Sequence, residues 1–140
     1  MNPKVIVLLA GTNDVSDDAK VADVTHGLET VLRVMRGKAP DATIVVTGIF
    51  PRNDDMAFMP IIDRVNDNLK KLADGGKVRY LSINDKLADS NGVLFEGMMN
   101  AQDKLHPTLQ GYQVWADALK PIFTELLGPP GKASDGRPTS

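Results

Sequence analysis

Val5-Ile6-Val7-Leu8-Leu9-Ala10 is an apolar run without polar interruption, closed by Gly11. A strand with one face in water alternates apolar and polar residues, so a run that does not alternate reads as a strand covered on both faces, as in a parallel sheet layered between helices. The chain that follows supplies the other layers. Val21, Val24, Leu28, Val31, Leu32 and Met35 recur at helical spacing as far as Gly37, with Ser16 as the expected cap and Asp17 and Asp18 complementing the dipole in the first turn. Thr43 to Ile49 is a β-branched second strand, and Pro60 opens a second helix that carries Ile61, Ile62, Val65, Leu69 and Leu72 inward until Asp74-Gly75-Gly76. Val78 to Ile83 reads as a shorter third strand, and a long polar loop from Asn84 to Asp103 follows it. The last helix starts near Thr108 and presents Tyr112, Trp115, Leu119, Ile122 and Leu126 on one stripe, with a kink expected at Pro121.

Strand, helix, strand, helix, strand, loop, helix is an α/β order. Right-handed crossovers place the two intervening helices on one face of a parallel sheet and leave the other face for the terminal helix. One domain is expected over residues 1–127, with residues 128–140 having the composition of a disordered tail. Sixteen basic residues against eighteen acidic, with no basic run and few aromatics, argue against nucleic acid or an anionic membrane as partner. The absence of cysteine excludes disulfides, thiolate catalysis and Cys-ligated metal. No apolar run approaches a membrane span and the N-terminal residues lack the zones of a signal peptide, so the chain as given reads as soluble and untargeted, with the compartment open.

Chemistry concentrates in Asp103-Lys104-Leu105-His106-Pro107-Thr108. A carboxylate three residues before a histidine, on a tight segment stopped by proline, can hold the imidazole in one tautomer and stabilise its protonated form, which makes a general base. His26 falls on the polar side of the first helix, so His106 is the one imidazole placed for catalysis; the competing reading is a surface loop with an ordinary Asp–His bond. Gly11-Thr12-Asn13-Asp14 turns at the end of the first strand, where open α/β sheets bind their ligands. The same turn lacks the glycine-rich fingerprint of a nucleotide site, and Asp103 with His106 offers too few ligands for a catalytic metal. Tyr112 and Trp115 read as core, because they lie on the apolar stripe.

Gly-x-Asn-Asp after the first buried strand, followed about ninety residues later by Asp-x-x-His-Pro-Thr-x-x-Gly-Tyr opening a final helix, resembles the SGNH hydrolases, the GDSL-type esterases and acylhydrolases. Pro51-Arg52 after the middle strand is similar to the members related to platelet-activating-factor acetylhydrolase. The resemblance spans Val5 to about Leu127. It implies a flavodoxin-like three-layer parallel sheet, incomplete here, with three strands and three main helices, the strands corresponding to the third, fourth and fifth of the family's sheet. It implies that Asn13 donates to the oxyanion of a tetrahedral intermediate, with Gly11 and Asp14 shaping the supporting turn, and that Asp103 and His106 are the acid and base of a triad. It also implies a small-molecule ester, an acetylated sugar or an acyl ester, as substrate, and no cofactor.

The departure from the family's pattern is its Gly-Asp-Ser block, which supplies the nucleophile and is not in this chain, nor is the second block with its glycine donor. Ser16, Ser82 and Ser90 remain, and none sits in a glycine-flanked strand-to-helix turn. The chain is therefore expected to be inactive alone, and either poorly stable or self-associating through the first strand's open edge. The competing reading is a non-catalytic remnant that binds an acyl or sugar ligand or a partner strand. The segment Pro51 to Pro60, with Phe50, Met56, Phe58 and Met59, is either an apolar rim or a loop with buried anchors.

Overall fold

A computed structural model describes residues 3–10, 15 and 20–129. The elements in order are β1 (Val5–Leu8), α1 (Val21–Lys38), β2 (Thr43–Thr47), α2 (Met59–Leu72), β3 (Val78–Leu81), α3 (Asn84–Leu87) and α4 (Leu109–Leu127), with a 3-10 turn at Met56–Phe58 ahead of α2. The three strands are parallel in the order β1-β2-β3. Ile6 aligns with Ile44, and Ile44 with Val78.

Because side chains alternate along a strand, this register sorts the sheet into two faces. Ile6, Leu8, Ile44, Val46, Val78 and Tyr80 pack with Val24, Leu28 and Leu32 of α1 and Ile62, Val65 and Leu69 of α2. On the opposite face Leu9 and Leu81 join Phe50, Ile83, Leu87 and Met99, closed over by Val114, Trp115 and Ala118 of α4. The three-layer α/β arrangement is the one expected. Central β2 is buried throughout, whereas Val5, Ile6 and Val7 of β1 are only partly covered.

Some side chains fall elsewhere than expected. The buried line of α1 advances in steps of four, from Val24 to Leu28 to Leu32, which leaves Val31 on the shoulder at 40% exposure. Tyr112, on the flank of α4, is 47% exposed, while Trp115 packs edge-on against Phe50 with ring centroids 5.6 Å apart. The segment after β3 is not a plain loop: Asn84–Leu87 forms one helical turn and buries Leu87 completely. Of the segment after β2, Phe50 and Met59 are buried anchors and Met56 is exposed. α4 continues past Pro121 to Leu127. The expected cap at Ser16 and the tail from 130 onward lie outside the described residues. Among the described residues, no helix is long and apolar enough to cross a membrane.

Candidate active site

The carboxyl ends of the strands deliver three segments to one edge of the sheet. Where β2 ends, Ile49 is clamped: its N–H donates to Asn66 Oδ1 at 2.7 Å, and its carbonyl accepts from Asn66 Nδ2 at 2.9 Å and Asn84 Nδ2 at 2.8 Å. These bonds match the donor and acceptor needs of a buried strand end. The chain then runs through buried Phe50 and Pro51 to Arg52. The Arg52 guanidinium forks onto Asp54, with Nε at 2.7 Å and a terminal nitrogen at 2.5 Å, and lies 4.5 Å over the Phe58 ring. Its other terminal nitrogen donates to the carbonyl of Val15 at 3.3 Å, reaching the segment that follows β1. The hydrogen bonds from Arg52 hold the Asp54 carboxyl below its usual range, and Asp54 in turn raises the Arg52 guanidinium.

The Asp103–His106 turn hangs from the same edge. Asn53 N–H donates to the Lys104 carbonyl at 3.1 Å, tying the turn to the loop after β2. Within the turn, Lys104 takes φ 53°, in the left-handed region that disfavours a side chain, and its N–H donates to the Asn100 carbonyl at 2.8 Å. Asn100 N–H donates to the His106 carbonyl at 2.8 Å, so a short ring of bonds closes the segment on itself. Asp103 uses both carboxylate oxygens. Oδ1 accepts from the N–H groups of Leu105 at 2.9 Å and His106 at 3.1 Å, and Oδ2 meets His106 Nδ1 at 2.8 Å. The Leu105 N–H first, then the His106 ring and backbone N–H, lower the Asp103 carboxyl to about 2.

A carboxylate can only accept, so Nδ1 carries the proton and Nε2 is left as the acceptor in the neutral ring. The His106 side chain is 69% exposed and that of Asp103 43%, so the imidazole is open to solvent. Behind it, Thr108 caps α4 by accepting from Gly111 N–H at 3.1 Å, and its own N–H donates to the Met98 carbonyl at 3.1 Å. Gly111 is required there, because a Cβ would lie 2.2 Å from the Met98 carbonyl oxygen.

Of the residues singled out from sequence, Asp103 and His106 are brought together as expected. Gly11, Asn13 and Asp14 lie outside the described residues, although Val15, two positions after Asn13, is buried and bonded to Arg52. Ser82 and Ser90 are exposed, and Ser82 Oγ accepts from Asn84 N–H. Asn53 and Asn100, which shape the turn, escaped the sequence reading because a loop asparagine carries no periodic signal. A cavity of about 200 Å³ between α2 and the 84–92 segment is lined by neither Asp103 nor His106. Among the described residues no group of three or more His, Cys, Asp or Glu could hold a metal ion.

Residues 1–114, from before β1 into α4, match the GDSL-like lipase/acylhydrolase family. The chain belongs to that family. It is similar to the platelet-activating factor acetylhydrolase IB subunit alpha2 of Rattus norvegicus, 30% identical over 129 residues that make up 91% of this chain and 55% of the relative. The chain thus spans about half the length of the curated relatives it matches. Among solved structures, a Streptococcus pneumonia protein described as a platelet activating factor superposes with TM-score 0.70 at 26% identity, over 85% of this chain and 59% of that one. A family two carbohydrate esterase from Clostridium thermocellum, solved with cellohexaose, gives TM-score 0.64 at 21% identity over 91% of this chain and 37% of that one, a likeness of fold. As a member of the GDSL-like family, the chain carries a three-stranded parallel sheet with helices, and the Asp103–His106 turn is tied to the segment that follows β2.

Proposed function

We propose that this chain carries the acid–base half of a carboxylic ester hydrolase that acts on small acyl esters, acetyl esters first among them. The observation that carries the reading is the His106 Nδ1 to Asp103 Oδ2 bond at 2.8 Å, on a turn held by backbone bonds and open to solvent. In the proposed reaction Nε2 of His106 takes the proton from a serine hydroxyl as its oxygen bonds to the ester carbonyl carbon. Asp103 stabilises the imidazolium that forms, and the Asn13 amide donates to the oxygen that becomes negative. The imidazolium returns the proton to the departing alcohol as the carbon–oxygen bond breaks. Water then attacks the acyl carbon, giving its proton to His106 Nε2, and the imidazolium returns that proton to the serine oxygen as the acyl–serine bond breaks and the free acid leaves. The serine belongs to a Gly-Asp-Ser segment that is not in this sequence, so the chain by itself is expected to be inactive.

The test is hydrolysis of p-nitrophenyl acetate, with fluorophosphonate labelling alongside. Both are measured on this chain and on any longer product of its reading frame that contains Gly-Asp-Ser. The longer product should turn over ester and label, and His106→Ala should lower its rate by about four orders of magnitude or more. Unchanged hydrolysis in His106→Ala would refute the reading. The second reading, a non-catalytic module that binds an acyl or sugar ligand, is favoured by the missing serine block; it predicts ester binding without turnover in every product of the frame.

A further inference from the structure

We propose that Asn53 is a positioning residue for the Asp103–His106 pair, holding the turn through its backbone N–H while its side chain is anchored on the 92–94 segment. The inference rests on the reading of Asp103 and His106 as acid and base. The Asp103–His106 turn is closed by its own backbone bonds, and among the described residues the bond that ties it to the segment after β2 is Asn53 N–H to the Lys104 carbonyl, at 3.1 Å. Lys104 is the residue with φ 53°, a conformation that a non-glycine residue keeps only when its surroundings hold it. The bond therefore grips the turn at its most strained point, midway between the carboxylate and the imidazole.

For that N–H to aim at Lys104, Asn53 must itself be fixed, and its side chain does this with two bonds to one segment. Nδ2 donates to the Gly92 carbonyl at 2.9 Å and Oδ1 accepts from Leu94 N–H at 2.8 Å. Only an amide side chain supplies a donor and an acceptor side by side; aspartate lacks the donor and alanine lacks both. The anchor is firm in turn: Leu94 bridges to Ala88 and packs into the cluster with Phe50 and Leu87. On the other side, Arg52 reaches Val15, two residues after Asn13. The Arg52-Asn53 pair thus straps the segment that follows β1 to the turn that carries the base.

The decisive experiment is an NMR titration of carboxyl carbons in the full chain, the Asn53→Ala variant and the Asn53→Ser variant, following Asp103 and Asp74 together. Asp74 is a control, because its carboxyl is likewise lowered by backbone N–H groups, those of Val78 and Gly76, at the far side of the fold. In Asn53→Ala the Asp103 midpoint should rise from about 2 toward the ordinary 3.8, as the Leu105 and His106 N–H groups lose their aim, while Asp74 stays low. Asn53→Ser, which adds no charge and can make at most one of the two side-chain bonds, should move Asp103 in the same direction by less. It decides by the same criteria if Asn53→Ala does not fold. An Asp103 midpoint that stays near 2 in the variants, or a parallel rise of Asp103 and Asp74, would overturn the proposal. Neither readout needs turnover. An unmoved Asp103 removes the positioning role and leaves the esterase reading standing, whereas an inactive Gly-Asp-Ser product does the reverse.

Discussion

At the residue scale the site is a carboxylate satisfied three times over, by two backbone N–H groups and one imidazole. Its folded pKa of about 2 lies below the ordinary 3.8, and the sign of the consequence follows. A carboxyl depressed in the folded state stabilises fully above its unfolded pKa and loses that contribution as pH falls through the folded one. The turn should therefore keep its amide shifts from neutrality down to about pH 4, then lose them toward about pH 2, as followed by NMR of Leu105 and His106. Asp103→Asn keeps an acceptor for the two N–H groups but not the charge that favours imidazolium. The loop should hold, while hydrolysis by a Gly-Asp-Ser-containing product falls by about 10⁴-fold. Arg52→Lys replaces a planar fork by a point charge and loses the paired bonds to Asp54; chemical denaturation should show a loss of about 1.5–3 kcal/mol. The Asp–His spacing was readable in sequence because both partners lie on one short stretch. Arg52 entered the reading through the Pro51-Arg52 resemblance alone, and neither its bond to Val15 nor the bonds of Asn53 were readable, since those partners are backbone atoms of distant segments and nothing in a residue's identity announces such a bond.

At the element scale, periodicity identified every long element, because burial of a stripe is what makes the pattern. α3 escaped, since four residues are too few to show a period. Val31 and Tyr112 were misplaced for a related reason: both are apolar residues at helical spacing, and the curvature of the packed surface decides which shoulder residues are covered. Gly111 sets two effects against each other. Alanine is the better helix former by about 1 kcal/mol, which favours Gly111→Ala. Its Cβ, however, would sit 2.2 Å from a backbone oxygen, that of Met98, which also receives the Thr108 N–H. Backbone cannot swing aside as a side-chain tip can, so the clash wins. Gly111→Ala should lower stability by about 1–3 kcal/mol in thermal denaturation, with the α4 cap at Thr108 loosened.

At the scale of the whole molecule, the first run of the sequence and the sheet disagree in a way that carries a consequence. Val5-Ile6-Val7-Leu8 has the composition of a strand covered on both faces, yet among the described residues β1 pairs only with β2, and three of its four residues are partly exposed. An apolar parallel edge with free backbone donors and acceptors is a template for another strand. β3, at the opposite edge, carries Arg79, whose guanidinium is engaged by Glu125 of α4, and so presents a charged pair there. Association should accordingly run through β1. The chain is expected to form oligomers whose fraction rises with concentration in light scattering, and a lysine placed at Val5 or Val7 should shift it toward monomer while leaving the circular dichroism spectrum unchanged. A chain that stays monomeric and unfolds cooperatively across the whole concentration range would show that β1 tolerates its open edge.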